Sequence, residues 1–180
     1  MYNCHVRIYV ETNASGNVLR TNANTGHFDL QIDGVDSAPI VINGHSFTNP
    51  VFSYNSEGLR IFNGSVHPLT NCKMYTFDFT ASDEAVNDFI VTKMLNTYLG
   101  LASETADELT GGYLYPVISG PFQEYDINST NCFTATAYWC KWLGYNTLYN
   151  IANAADSYTD YLAWRMYDRY GHAWTYIGQF

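Results

Sequence analysis

The sequence predicts an α+β domain, with a β-rich first part followed by a mainly helical second part. Up to about residue 80 the apolar residues alternate as in strands, and after it they recur with helical spacing. The 180 residues suffice for one domain with a substantial core, and neither an internal repeat nor a linker divides them. We therefore expect a single domain over residues 1–180, in which a helix packs against an antiparallel sheet.

The strands of the first part are predicted from alternation with a period of two residues. CHVRIYV, near the start of the chain, alternates in this way. In HFDLQID, apolar residues alternate with polar ones: Phe28, Leu30 and Ile32 against His27, Asp29 and Gln31. GVDS is expected to turn the chain and APIVIN to return as a strand, so residues 27–43 are predicted to form a hairpin. MYTFDF, residues 74–79, is a further predicted strand.

The helices of the second part are predicted from their caps and apolar faces. The first is expected to begin at Thr80 or Ser82, with acidic residues in its first turn, and to end at Gly100. A connector rich in glycine and proline leads to NCFTATAYWCKWLG, a second helix that should end at Gly144. A third helix is predicted near residues 154–169, and HAWTYIGQF resembles a short strand.

Composition narrows the classes of partner. The net charge is −9 with only 8 basic residues, which argues against a nucleic acid or an anionic membrane surface as partner. No apolar run reaches the length of a membrane span, so we expect no membrane insertion. MYNCHVRIYVE lacks the features of a secretory signal peptide, so we expect synthesis in the cytoplasm and, for action elsewhere, a signal-independent machine.

The four cysteines suit neither a disulfide framework nor a zinc site, because they are scattered and form no CxxC pair. We therefore predict no metal and no cofactor, and leave open whether Cys4 and Cys72 pair. INSTNCFTAT places Cys132 between a turn-forming stretch and the start of a helix. A helix N-terminus favours the thiolate, which suits a nucleophile, whereas the alternative is a thiol of the core.

A nucleophilic thiol needs a base, and two histidines are candidates. His27 follows Gly26 at the head of a strand, and His172 stands in the similar stretch YGHAWTYIG. We prefer His27 because it begins a hairpin long enough to belong to the central sheet. Only eight residues follow His172, which leaves no room for a further strand with a third catalytic residue.

TGHFDLQIDG, followed by YDINSTNCFTATAYWCKWLG, resembles the circularly permuted branch of the papain-like, NlpC-type cysteine hydrolases. In that branch a Gly-His strand precedes a helix that begins with Asn-Cys. The resemblance covers roughly residues 25–144 and implies a papain-like fold with Cys132 as nucleophile and His27 as base. Several such proteins are peptidoglycan amidases delivered by type VI secretion. It therefore also implies a peptidoglycan or peptide substrate, delivery to the periplasm of a target cell and an immunity protein.

The predicted hairpin also suggests which residue orients the base. A turn centred on Val35 places His27 opposite about residue 44, within reach of Asn43 and His45. We favour His45 and keep Asn43 as an alternative, because amide orienters occur in Cys-His-Asn sites. Asp29, on the same face two residues along, is the third candidate.

The predicted reaction is amide hydrolysis through a thioester on Cys132, with Asn131 or Gln123 as a second oxyanion donor. Aromatic residues of the connector either line the cleft or anchor the loop to the core: Tyr113, Tyr115 and Phe122. Two other functions remain open. One is an acyltransferase or isopeptidase with the same dyad, and the other is a non-catalytic, Tyr-rich binding module.

Overall fold

A computed structural model describes residues 1–17, 26–117, 131–154 and 174–180. The strands are β1 (Tyr2–Glu11), β2 (Gly26–Ile32), β3 (Ile40–Ile42), β4 (His45–Phe47), β5 (Pro50–Asn55), β6 (Gly58–Asn63), β7 (Cys72–Ala81), β8 (Thr105–Ala106), β9 (Tyr113–Pro116) and β10 (Thr175–Gln179). The helices are a 3₁₀ turn (Val35–Ser37), α1 (Asp83–Asp88), a π-helix (Phe89–Leu99), α2 (Cys132–Trp142) and α3 (Thr147–Ala154).

Eight of these strands form one antiparallel sheet in the order β10-β7-β1-β2-β5-β6-β9-β8. Strands β3 and β4 form a separate antiparallel pair. The predicted α+β class is confirmed, since a mostly antiparallel sheet combines with a few helices. In the part of the chain that the structure describes, no helix is long and apolar enough to cross a membrane.

One face of the sheet, called here the helix face, carries the core. Alternate residues of β1 and β2 are fully buried there, and α2 packs on β2 and β5. The ring of Phe28 meets that of Phe133 edge-on at 4.8 Å between centroids, and Phe52 lies 6.4 Å from Trp139. Such large aromatic side chains dominate the energetics of a core, so they fix α2 on the sheet.

The opposite face, called here the open face, carries polar residues that are nonetheless largely buried. Arg7 and Asp29 are both 1 % exposed and form a bidentate pair, with Nε–Oδ1 at 2.7 Å and Nη2–Oδ2 at 3.0 Å. At one end of this face the ring of His5 bridges two carboxylates, with Nε2 2.7 Å from Asp33 and Nδ1 2.6 Å from Asp78. The alternation predicted for β1 and β2 therefore separates two chemically different surfaces.

The helix predicted to end at Gly100 begins as expected but changes its winding. The Ser82 side chain accepts the N–H of Ala85 and caps α1, and Gly100 follows the last helical residue. After Asp88 the chain continues as a π-helix, which the apolar spacing did not predict. Its residue Tyr98 lies 3.3 Å from the indole Nε1 of Trp139 and links this helix to α2.

The predicted hairpin over residues 27–43 is wrong. Strand β2 pairs with β1 and β5, and β3 pairs with β4 instead. The physical reason lies at Asn43 and Gly44, whose φ angles are 51° and 83°. An Asn-Gly turn with two positive φ values closes a tight two-residue hairpin, and so it folds β3 onto the next residues of the chain.

Three other predicted elements are present in the structure, and several strands were not predicted. The strand at 74–79 lies within β7, the C-terminal strand is β10, and the cysteine helix is α2. The connector contains β8 and β9, and β5–β6 form a hairpin that the sequence analysis missed. Most of the helix predicted near residues 154–169 lies outside the described residues, and α3 precedes it.

Candidate active site

Cys132 is the first residue of α2, as the turn-forming stretch before it predicts. The side-chain oxygen of Asn131 accepts the N–H of Thr134 at 3.0 Å, and the hydroxyl of Thr134 accepts the N–H of Asn131 at 2.9 Å. This reciprocal capping box fixes the start of the helix. Asn131 was a candidate oxyanion donor, and the role that its side-chain oxygen has in the structure is to cap the helix.

The sulfur of Cys132 lies against the start of β2. It accepts the backbone N–H of Phe28 at an N–S distance of 3.5 Å, so it touches the peptide bond that joins His27 to Phe28. The pairing between β2 and β5 reaches only as far as Asp29 and Ser53 on this side. Cys132 is 2 % exposed, and a substrate can therefore reach the sulfur only after the atoms that cover it move.

The other three thiols are also buried, and burial raises their pKa values. Burial, with a smaller contribution from Asp33, raises the pKa of Cys4 to about 12, and burial raises the pKa of Cys140 well above its ordinary value. The thiols of Cys4 and Cys72 donate to backbone carbonyls at 3.9 and 3.6 Å. All four cysteines are free, so Cys4 and Cys72 do not pair. Among the contacts of the described residues, the sulfur of Cys132 accepts a backbone N–H, whereas the thiols of Cys4 and Cys72 donate to carbonyls.

His27 is half-buried on the open face and is held by the neighbouring strand. Its Nε2 lies 2.7 Å from the hydroxyl oxygen of Ser53, and its ring lies 6.0 Å from that of Tyr9. Burial is the largest cause of a lowered pKa of His27; Asp29 opposes the shift, and Arg7 and Arg60 add to it. The imidazole is therefore neutral at pH 7, as a general base must be.

Ser53 was missed by the sequence analysis. It reaches His27 because β5, not β3, is the neighbour of β2, and the register places Asp29 opposite Ser53. The two short segments PVFSYN and GLRIFN, separated by the two turn residues Ser56 and Glu57, could have revealed this hairpin. Ser53 occupies the position that the wrong hairpin had given to Asn43 and His45.

His45 and Asn43 lie in a different cluster. The Nε2 of His45 is 2.6 Å from a carboxylate oxygen of Glu104, and the Asn43 amide donates to the other oxygen at 3.0 Å. Tyr115 also donates to Glu104, at 2.6 Å, and the ring of His45 stacks on Tyr113 at 3.7 Å. The choice of His45 or Asn43 as orienter is thus corrected, because their hydrogen bonds join β3–β4 to the region of β8 and β9.

Asp29 shares the open face with His27, as predicted. Its carboxylate is occupied by the guanidinium of Arg7, through two hydrogen bonds. It affects His27 through its charge, while Ser53 makes the direct contact. Of the connector aromatics, Tyr115 is buried in the core and Tyr113 packs on His45, so both anchor the loop. His172, Gln123 and Phe122 lie outside the described residues.

Within the described ranges, no group of three or more His, Cys, Asp or Glu side chains is placed to hold a metal ion. The structure thus brings together a thiol at a capped helix start and the backbone amide that follows His27. The imidazole of His27 lies on the open face, the side of β2 away from α2, where it contacts the hydroxyl of Ser53. Comparisons of the chain with protein-family models, with curated proteins and with solved structures found no match.

Proposed function

We propose that this protein is a cysteine-dependent amidase or peptidase of the permuted, papain-like type, acting on peptidoglycan stem peptides. The observation that carries the proposal is the hydrogen bond from the Phe28 N–H to the sulfur of Cys132 at the start of α2. An amide donor and a helix N-terminus both favour the thiolate. The terminus alone supplies about 0.3–1 kcal/mol, so a base is also needed.

His27 is the proposed base, and its contact with Ser53 orients the ring. In the proposed scheme Nε2 donates a hydrogen bond to the Ser53 hydroxyl, so that the neutral ring carries its lone pair on Nδ1. Because the His27 ring lies on the open face and Cys132 on the helix face, the start of β2 must rearrange before Nδ1 can take the thiol proton. Ser53 is a positioning residue in this scheme, because it acts through His27 and not on the substrate.

The proposed reaction has two steps. The thiolate attacks the amide carbonyl, the C–N bond breaks with a proton passing from His27 to the departing amine, and a thioester forms. His27 then takes a proton from water, which attacks the thioester and regenerates the thiol. The N–H of Cys132 lies in the first helical turn, where amides have no intrahelical acceptor, and it is the proposed oxyanion donor.

The test is digestion of purified sacculi, followed by chromatography of the released fragments. Wild-type protein should release fragments with new amine and carboxyl termini, and Cys132→Ala should release none. Cys140→Ala is the matched control, since it removes another buried thiol from the same helix and should retain activity. Parallel His27→Ala and His172→Ala variants decide between the two bases.

The second candidate function is a non-catalytic binding module, which the 2 % exposure of Cys132 favours. It predicts binding to sacculi without fragment release, with Cys132→Ala equal to wild type. That outcome would overturn the amidase proposal. As an enzyme, the protein is proposed to be made in the cytoplasm and delivered to the periplasm of a target cell. An immunity protein would then protect the producer.

A further inference from the structure

A cavity of about 390 Å³ opens on the open face, beside His27 and Ser53. Much of its wall is apolar, and the residues that form this part are Tyr9, Phe62, Pro68, Leu69, Cys72 and Leu109. Ligand sites generally combine such an apolar wall with a few polar groups that fix orientation. The polar groups of this cavity therefore indicate what chemistry it accepts.

The carboxylate of Glu11 is the distinctive polar group of this cavity. Within the described part of the chain it has no hydrogen bond or ion pair. The Glu11 charge also affects Cys72, which lines the same cavity. Burial is the larger cause and Glu11 the smaller cause that together raise the pKa of the Cys72 thiol to about 11. Cys72 faces Glu11 across the β1–β7 pair, so Glu11 is a negative charge without a cation beside an apolar space.

The one arginine of the cavity wall does not neutralise Glu11. The Nε of Arg60 binds Asp107 at 3.0 Å, and its Nη2 binds Glu57. Both partners are acidic, so the guanidinium is already compensated. His27, with its lowered pKa, adds no positive charge at neutral pH. The cavity is therefore suited to a cation and unsuited to an anion.

The spacing within β1 gives the length of a suitable ligand. Tyr9 pairs with His27, and Glu11 lies two residues further along the same face. Two residues of a strand span about 7 Å, which is comparable to the reach of the four-carbon stem of a lysine side chain. A side chain that enters the cavity beside His27 can thus place its ammonium near Glu11.

We propose that this cavity is a specificity pocket for a substrate side chain that ends in a primary ammonium group, with Glu11 as its counter-ion. The proposal rests on the proposed amidase function for the direction in which the substrate lies. The apolar wall takes the methylene stem, and the carboxylate takes the head. Acetylation of the amine, or loss of the Glu11 charge, should therefore weaken binding.

The test is calorimetric titration of the Cys132→Ala protein with Nα-acetyl-lysine amide and with its Nε-acetylated form. The unmodified amide should bind about tenfold more tightly, a difference of about 1.4 kcal/mol. Glu11→Gln should abolish the preference while leaving the methylene contacts. Glu84→Gln is the matched control, because Glu84 is an exposed acid of α1 and its loss should leave the preference unchanged.

The readout separates this pocket from the amidase proposal, because binding needs no hydrolysis. If the protein prefers the free amine but does not digest sacculi, the pocket proposal is supported and the amidase proposal is overturned. Equal binding of the two amides, or a preference that survives Glu11→Gln, would overturn the pocket even in an active enzyme. If Glu11→Gln lowers the melting temperature far below that of wild type, Glu11→Asp is used instead. This variant should weaken the preference for the free amine without abolishing it.

Discussion

The two faces of the sheet differ in how they use burial. On the helix face, β2 contributes Phe28, Leu30 and Ile32 to an apolar core beneath α2. On the open face, the same strand contributes His27 and Asp29, which are held by hydrogen bonds and charge. Hydrophobic burial fixes position without direction, whereas hydrogen bonds fix orientation. One strand thus anchors the nucleophilic helix on one side and orients the proposed base on the other.

Cys132 belongs to the helix face but contacts the strand that carries His27. Its helix is packed on the helix face, while its sulfur reaches the backbone amide that follows His27. A catalytic dyad built in this way needs both faces intact. The comparison predicts that changes on the open face affect chemistry more than folding, except at its buried ion pair.

The largest expected effect is that of the base. His27→Ala should lower the rate of fragment release by about 10²–10⁴-fold, the range for a general acid–base group. His45→Ala is the matched control and should stay near wild type, because His45 binds Glu104 and not His27. The measurement is the initial rate on sacculi at equal protein concentration. Equal losses in the two variants would show that the dyad is misassigned.

The buried ion pair should have a comparable effect on folding. Asp29→Ala leaves the Arg7 guanidinium buried without its carboxylate, which should cost about 3–5 kcal/mol of unfolding free energy in urea titration. Asp78→Ala removes the exposed partner of His5 and should cost about 0–1 kcal/mol. A small loss at Asp29 would mean that water or Gln31 compensates the charge of Arg7.

The positioning residue should have a smaller effect. Ser53→Ala removes one hydrogen bond from His27 and should lower kcat about three- to tenfold, which corresponds to about 0.5–1.5 kcal/mol. Ser53→Thr keeps the hydroxyl and should restore much of the rate. The pH profile distinguishes this role from a structural one, because the apparent pKa of the base should shift in Ser53→Ala. A profile identical to wild type would contradict the assignment.

The smallest effect expected is a difference in pH dependence between His27 and His5. Burial lowers the pKa of His27, so its contribution to stability is present above about pH 6.5 and is lost as the pH falls through its folded pKa. Burial also lowers the pKa of His5, but hydrogen bonds to Asp78 and Asp33 outweigh it and leave the pKa raised. Its contribution is present below about pH 6.5 and is lost as the pH rises.

Urea unfolding of His27→Gln and His5→Gln across this pH range measures the difference. His27→Gln should lose more stability in the alkaline part of the range, and His5→Gln more in the acidic part. The same trend in both variants would show that one of the two environments is misjudged.

Local patterns predicted much of the fold and part of the site. Alternation predicted β1 and β2, and the turn-forming stretch before Cys132 predicted the start of α2, because each signal lies within a few consecutive residues. The position of Cys132 at the first helical turn followed from the same local chemistry. Asp29 was likewise placed correctly on the face of His27 by alternation alone.

Strand partners were harder to predict, because pairing is decided between distant segments. The Asn43–Gly44 turn was a local signal that went unused, and it would have ruled out the pairing of residues 27–33 with 38–43. Ser53 could be found only with the partner of β2 known, since 26 residues separate it from His27. The π-helix has no simple signature in apolar spacing, and so its residues were predicted as an α-helix.

The contact between the Phe28 amide and the sulfur of Cys132 makes that amide a spectroscopic reporter. Its proton senses the charge and the size of the sulfur directly, so its NMR resonance should move when the thiol ionises, is alkylated or forms a thioester. The amide of Leu30, one pleat further along the same strand, provides an internal reference. The covalent state of the proposed nucleophile could thus be followed during turnover without a chemical label.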